Sequence, residues 1–220
     1  MKHIRQASRQ DREQINALRV REFQRSAQFT LVQPDKLLWN HCDDSAFVLS
    51  AWDGPCAVAT MRAIVVHDRY EAESCVQCRV PMDTDFPAMV FNNAATDWDH
   101  RGMGLNQLLR YYFLKIALGN RIQSLLSPMY EGAPRIRFMK DLGYSFKIPQ
   151  VSWQNKLNPK ATRILGVLAH AMLPQAIDFI EAHRHEIIKA YPWKGKRIRL
   201  NAAAHKPAGK ERRKMAASLR

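Results

Sequence analysis

Asp99-His100-Arg101-Gly102-Met103-Gly104-Leu105-Asn106 is the stretch of this chain best suited to hold an anion. It follows the short apolar run Ala88-Met89-Val90-Phe91 and opens a helical pattern from Leu105 to Leu118. A strand that breaks into an Arg/Gly turn and then a helix leaves free N–H groups at the helix start. Glycines let a ligand close on the backbone, and the helix dipole favours negative charge there. Arg101, Gly102, Met103, Gly104, Leu105 and Asn106 are therefore the candidate binding residues, with a pyrophosphate-bearing molecule as the expected guest.

Groups able to move a proton lie just upstream. Asn92, Asn93 and Thr96 fall on the strand, Asp97 and Asp99 beyond it, and the strand carries no Glu. Asp97 is the first candidate base, and His100 is of the residue type that titrates near neutrality. Four cysteines, Cys42, Cys56, Cys75 and Cys78, are expected to be free thiols. Cys75 and Cys78 form a lone CxxC with His67 as the nearest further ligand, too few groups for a zinc centre, so no metal is expected.

The elements that must position these groups read as a mixed α/β sheet. Ile4 to Ala7 is a short strand leading into a helix with Ile15, Leu18, Val20 and Phe23. Pro34 and Asp35 are expected to start a second short helix carrying Leu37, Leu38 and Trp39. Residues 46–52 and 56–66 are apolar runs joined at Asp53-Gly54, a hairpin signal. Residues 67–87 read as a loop or weak edge element, and a strand follows over about 88–96. After the helix ending at Gly119-Asn120, Ile122 to Leu126 reads as a strand stopped by Ser127-Pro128. Pro134 starts another helix, Gly143 ends it, and Tyr144 to Phe146 restarts a strand. Residues 161–184 read as one or two amphipathic helices interrupted near Pro174. The expected division is a domain over 1–150, a helical extension over 151–193 and a basic tail over 194–220.

The chain of 220 residues carries a formal charge of +14, concentrated in that tail, where ten Lys/Arg face one acid, Glu211. Such a tail suits a solvated terminus, or contact with nucleic acid, an anionic membrane surface or an acidic carrier protein. It lacks aromatic residues after Trp193, which argues against a single-strand stacking platform. No apolar run reaches membrane-spanning length and the first residues lack a signal-peptide core, so a cytoplasmic location is expected.

In order and spacing the chain resembles the GNAT acyltransferase superfamily over residues 1 to about 148. Ile4-Arg5…Ala7…Asp11…Ile15…Leu18 is similar to that family's opening strand and helix, and the Asp53-Gly54 hairpin to its second and third strands. Arg101-Gly102-Met103-Gly104-Leu105-Asn106 is similar to its acyl-donor loop, with Asn106 standing where a small residue is usual. Arg137 to Tyr144 is similar to its helix-then-Gly-aromatic signature. The resemblance implies a GNAT fold, a mixed and mostly antiparallel sheet flanked by helices, with a C-terminal helical extension. It implies direct transfer from acyl-CoA or acetyl-CoA to a small-molecule amine or amino-acid acceptor. Asp97 and Asn93 are then the catalytic candidates on and after the fourth strand. Met139 stands where many members carry an acidic Tyr, which leaves Tyr130 or Tyr144 as substitutes. Leu18 to Phe23 also resembles the first helix of the autoinducer and N-acyl amino acid synthases. That branch implies an acyl-phosphopantetheine donor on acyl carrier protein, which the basic charge suits. The missing Tyr and the basic tail motivate one further alternative, a non-catalytic acyl-CoA sensor or nucleic-acid-binding module.

Overall fold

The computed structural model describes residues 2–25, 37–76, 78–130, 133, 135–147, 166–183, 185–186 and 194–195. The basic tail beyond residue 195, the segment 148–165, and Pro34, Asp35 and Pro134 lie outside these described residues.

Strands β1 (Lys2–Gln6), β2 (Phe47–Asp53), β3 (Cys56–Val66), β4 (Ala88–Thr96), β5 (Ser124–Tyr130), β6 (Ser145–Lys147), β7 (Gly166–Met172) and β8 (Lys194–Gly195) form one sheet in the order β6-β7-β5-β4-β3-β2-β1-β8. Only β4–β5 and β1–β8 pair in parallel. The β2–β3 hairpin turns at Asp53-Gly54, where Gly54 takes φ 58, a conformation costly for a residue with a Cβ. Helix α1 (Arg12–Gln24) packs on β3 and β4 through Ile15 and Leu18, beside Val48 and Trp52. On the opposite face α4 (Leu105–Gly119) buries Leu105, Leu108, Leu109, Phe113 and Ile116 against Leu49, Met61, Met89 and Phe91. Each such side chain stabilises the fold by about 1.5–3 kcal/mol. The Phe91 and Phe113 rings meet edge to face at 5.6 Å, fixing α4 over the middle of the sheet.

Several local expectations are corrected. The loop expected over 67–87 contains helix α3 (Arg69–Val76). Asp68 Oδ1 accepts from the Glu71 N–H at 2.8 Å and Glu71 Oε2 from the His67 N–H at 2.8 Å, a side-chain cap in a D-x-x-E pattern. Ala72 and Val76 bury its short apolar face. The start of the short helix expected at Pro34 lies outside the described residues, and Leu37 belongs to a 3-10 turn. A separate short helix that was not expected, α2 (His41–Asp44), follows, capped by Asn40, which accepts from the Cys42 N–H at 2.9 Å. Strand β5 is not stopped at Ser127-Pro128 but runs to Tyr130. Pro128 is tolerated because β4 no longer pairs with β5 there, leaving β7 as the remaining partner. Residues 166–172, expected to be helical, form β7 between β5 and β6. Leu168 and His170 face the α3 side while Ala169 and Ala171 face the α4 side, which is the two-residue period of a buried strand. Pro174 sits in the first turn of α6 (Leu173–Ala182) and begins that helix rather than interrupting one. Helix α5 covers Ile136–Asp141 and ends before Gly143 at φ 78.

Candidate functional site

The centre of the sheet is open. Strands β4 and β5 pair only at Ala88↔Ser124, Met89↔Leu125 and Val90↔Leu126. Beyond that point β4 continues to Thr96 and β5 to Tyr130 without pairing to each other, each held from its far side by β3 or β7. Two unpaired strand edges facing each other inside a sheet offer hydrogen-bonding groups to an extended ligand. Within this opening β4 bulges. The register with β3 shifts between Thr60↔Ala95 and Arg62↔Asn92, and Asn93 takes φ 49. A bulge re-aims the local backbone groups.

The chain then enters the Arg/Gly turn. Gly102 has φ 77 and Gly104, which caps α4, has φ 65. No side chain caps α4. Among the described residues, the N–H groups of Gly102, Met103 and Gly104 and of the first helical turn, Leu105 to Gln107, meet no acceptor. A Cβ added at Gly102 would meet nothing within 4 Å, so that face of the turn is open. The Arg101 side chain is not free. Its Nη2 donates to Glu22 Oε2 at 3.3 Å and its guanidinium lies 4.5 Å from the Trp98 ring centroid. Helix α1 thereby anchors the turn. Asn106 turns its amide oxygen toward Arg110, accepting from Nε at 3.3 Å.

The proton-transfer candidates separate. Asp97 Oδ2 lies 2.8 Å from His100 Nδ1, and Asp97 Oδ1 accepts from Arg21 Nη2 at 2.6 Å. Partial burial pushes the Asp97 carboxyl up, but the hydrogen bond from His100 and the Arg21 charge outweigh it and hold Asp97 below the usual carboxylate range. Asp97 is thus a poor direct base and a good anchor for the His100 ring, whose Nε2 lies 3.9 Å from Asp53 Oδ2. Tyr144 is buried among core residues, and burial raises its phenol to about 12 despite the nearby Arg110 charge. Such a phenol is a weak acid toward a thiolate of ordinary basicity. Met139 is fully buried and supplies packing only. The side chain of Tyr130 lies outside the described residues.

Sequence reasoning missed a buried charge cluster on the α1 face. Arg19 Nη2 and Arg62 Nη1 donate to opposite oxygens of Asp43 at 2.6 and 3.1 Å, and Arg62 Nε donates to Asn92 Oδ1 at 2.7 Å. Its signal lay in the apolar stripe of α1, where Arg19 and Glu22 continue the buried spacing of Ile15 and Leu18. The cysteines are free, Cys75 is pushed up to about 11 by burial, and no group of three His, Cys, Asp or Glu that could hold a metal occurs among the described residues. No helix among them is long and apolar enough to cross a membrane.

This architecture, a mixed sheet splayed at its central parallel pair with a glycine turn and uncapped helix beside the splay, is the GNAT acyltransferase fold. No family model and no curated protein matches the sequence. Solved structures do. The CoA-dependent acyl-homoserine lactone synthase BjaI, with SAM and isopentyl-CoA, superposes with a TM-score of 0.57 at 16% identity, covering 93% of this chain and 98% of that one. A probable acetyltransferase from Staphylococcus epidermidis gives 0.54 at 14% identity, covering 78% and 99%. The ribosomal-protein-alanine N-acetyltransferase of Brucella melitensis gives 0.54 at 17%, covering 77% and 98%.

Proposed function

We propose that this chain is an N-acyltransferase that moves an acyl group from a coenzyme A thioester directly onto an amine. The observation that carries this reading is the succession of two features along the chain: a β4 edge left unpaired with β5 beyond Val90 and Leu126, and, past the end of β4, N–H groups from Gly102 to Gln107 that meet no acceptor among the described residues. The N–H groups suit a diphosphate, and the open edges suit the amide-bearing arm that follows it in coenzyme A. The backbone at the Asn93 bulge then receives the oxyanion that forms when the amine attacks the thioester carbon. The N–C bond forms and the C–S bond breaks. The sulfur leaves with the electron pair as a thiolate, stable enough to need no acid. The proton shed by the amine passes through water toward His100, held by Asp97.

A second reading is an acyl-homoserine lactone or N-acyl amino acid type of synthase with an acyl carrier protein donor. The BjaI match, which extends over 93% of this chain, supports the synthase part of this reading; BjaI is itself CoA-dependent, so the carrier-protein donor rests on charge alone. The excess of +14 supplies the charge that an acidic carrier would meet.

The test is a thiol-release assay with acyl-CoA and the matching acyl carrier protein thioester, each offered to a panel of amines and amino acids, with the product read by mass spectrometry. Thiol release with an N-acylated product supports the first reading when coenzyme A suffices and the second when only the carrier protein does. Removing residues 201–220 is expected to lower carrier-protein use and spare coenzyme A use. Tight donor binding by calorimetry with no thiol release from either donor would make the protein a sensor and sink both enzyme readings.

A further inference from the structure

Arg110 is a buried cation without a counter-ion. It projects from α4, is 2% exposed, and contacts no carboxylate among the described residues. Its partners are neutral. Nε donates to Asn106 Oδ1 at 3.3 Å, Nη2 donates to Ser127 Oγ at 3.4 Å, the guanidinium lies 5.1 Å from the Phe91 ring centroid, and the Tyr144 hydroxyl is adjacent. Nη1 is buried and has no hydrogen-bond partner among the described residues. The other deeply buried arginines, Arg19 and Arg62, share Asp43. An unpaired charge in such a place is costly unless a ligand completes it.

Its position says which ligand. Phe91 and Ser127 are the first residues past the last β4–β5 pair, Val90↔Leu126, so the guanidinium spans both strands where the sheet opens. It stands on the α4 face, one helical turn beyond Asn106 of the proposed diphosphate turn. The bulge at Asn93 lies two residues along β4 from Phe91, a strand spacing of roughly 7 Å. A short acyl chain bridges that gap. The planar fork of an arginine matches a carboxylate with two parallel hydrogen bonds.

We propose that Arg110 receives a carboxylate at the far end of the acyl group, so that the preferred donor is a short dicarboxylic acyl thioester of coenzyme A. This rests on the reading of the splay as the donor groove. Arg110 sets donor specificity and takes no part in proton transfer.

The test compares two stable thioethers, S-(3-carboxypropyl)-coenzyme A and S-butyl-coenzyme A, which differ by a carboxylate in place of a methyl group. Calorimetry on the full chain is expected to show the carboxylated compound binding about tenfold tighter or more. In Arg110→Met that preference is expected to vanish or reverse while affinity for S-butyl-coenzyme A is kept. Equal or weaker binding of the carboxylated compound to the wild type overturns the proposal and needs no variant. An equal loss of both compounds in Arg110→Met would overturn it too, by making Arg110 a contact of the common arm. Failure of coenzyme A and both thioethers to bind would instead overturn the donor-groove reading beneath it.

Discussion

His100 Nδ1 and Asp97 Oδ2 stand 2.8 Å apart, three residues from each other in the short turn that joins β4 to the glycines. The same carboxylate takes Arg21 from α1 at 2.6 Å, so it links the turn to the opposite layer of the fold. Its folded-state acidity is stronger than that of a free Asp. The group contributes stability above the unfolded carboxylate value of about 4, and that contribution is lost as pH falls through the depressed folded value. Asp97→Asn is therefore expected to lower the melting temperature at pH 6–7, with the difference from the wild type beginning to shrink near about pH 4 and closing only as pH falls below the depressed folded value. A constant difference in melting temperature across that range would show that the carboxylate is not held by these partners.

Gly104 offers a separate handle on the turn. It adopts φ 65 as the cap of α4, where a side chain costs roughly 1–2 kcal/mol. Gly104→Val is expected to cost about that much in unfolding free energy. It is also expected to weaken coenzyme A binding at least tenfold, because the branched side chain crowds the N–H groups that close on the diphosphate. Calorimetry and denaturant titration separate the two effects. Unchanged affinity in a folded variant would place the phosphate elsewhere.

The glycine turn, the hairpin and the α4 stripe were legible because each depends on neighbours in sequence. Asp53-Gly54 needs only a left-handed turn between two apolar runs, and Leu105, Leu108 and Leu109 need only helical spacing. The splay was not legible, since it is the failure of β4 and β5 to stay paired past Val90 and Leu126, a relation across more than thirty residues. Pro128 was read as a stop for the same reason: which side of β5 lacks a partner is not written near it. Strand β7 was read as helix because Leu165, Leu168 and Met172 also satisfy helical spacing in sequence, and only burial on both faces tells the two apart. The α3 cap, Asp68 with Glu71, was present in the sequence and outweighed by the polar residues around it.

Glu22 ties the binding turn to α1. Its carboxylate is almost fully buried, and it accepts from Arg21 Nε at 3.0 Å, Arg25 Nη1 at 3.3 Å and Arg101 Nη2 at 3.3 Å. The three arginines are each close to half exposed, so they can return to water when the acid is neutralised. Glu22→Gln is expected to cost about 1–2 kcal/mol of stability, less than breaking a fully buried pair. Arg101 then loses its anchor, and coenzyme A affinity is expected to fall severalfold with a steeper dependence on salt. Loss of stability with no change in affinity would show that Arg101 is positioned by Trp98 alone.

Asp43 carries the heavier electrostatic load. Its carboxylate and the Arg19 side chain are both fully inaccessible, and they meet at 2.6 Å with Arg62 on the other oxygen. Burial pulls the Arg19 guanidinium below its usual range while Asp43 pushes it back up. Two of the Arg19 nitrogens, Nε and Nη1, lack partners among the described residues, so the pair has little further hydrogen bonding there to fall back on. Removing the acid alone strands a buried charge, and Asp43→Asn is expected to cost about 3–5 kcal/mol. Removing Arg19 together with the acid relieves the Arg19 share of that penalty and leaves the Arg62 share. The double variant Arg19→Met with Asp43→Asn is expected to recover a large part of the loss, giving a favourable coupling in a double-mutant cycle measured by denaturant midpoints at unchanged slope. Additive losses in the cycle would mean that Arg19 and Asp43 stabilise the fold through separate packing rather than through each other.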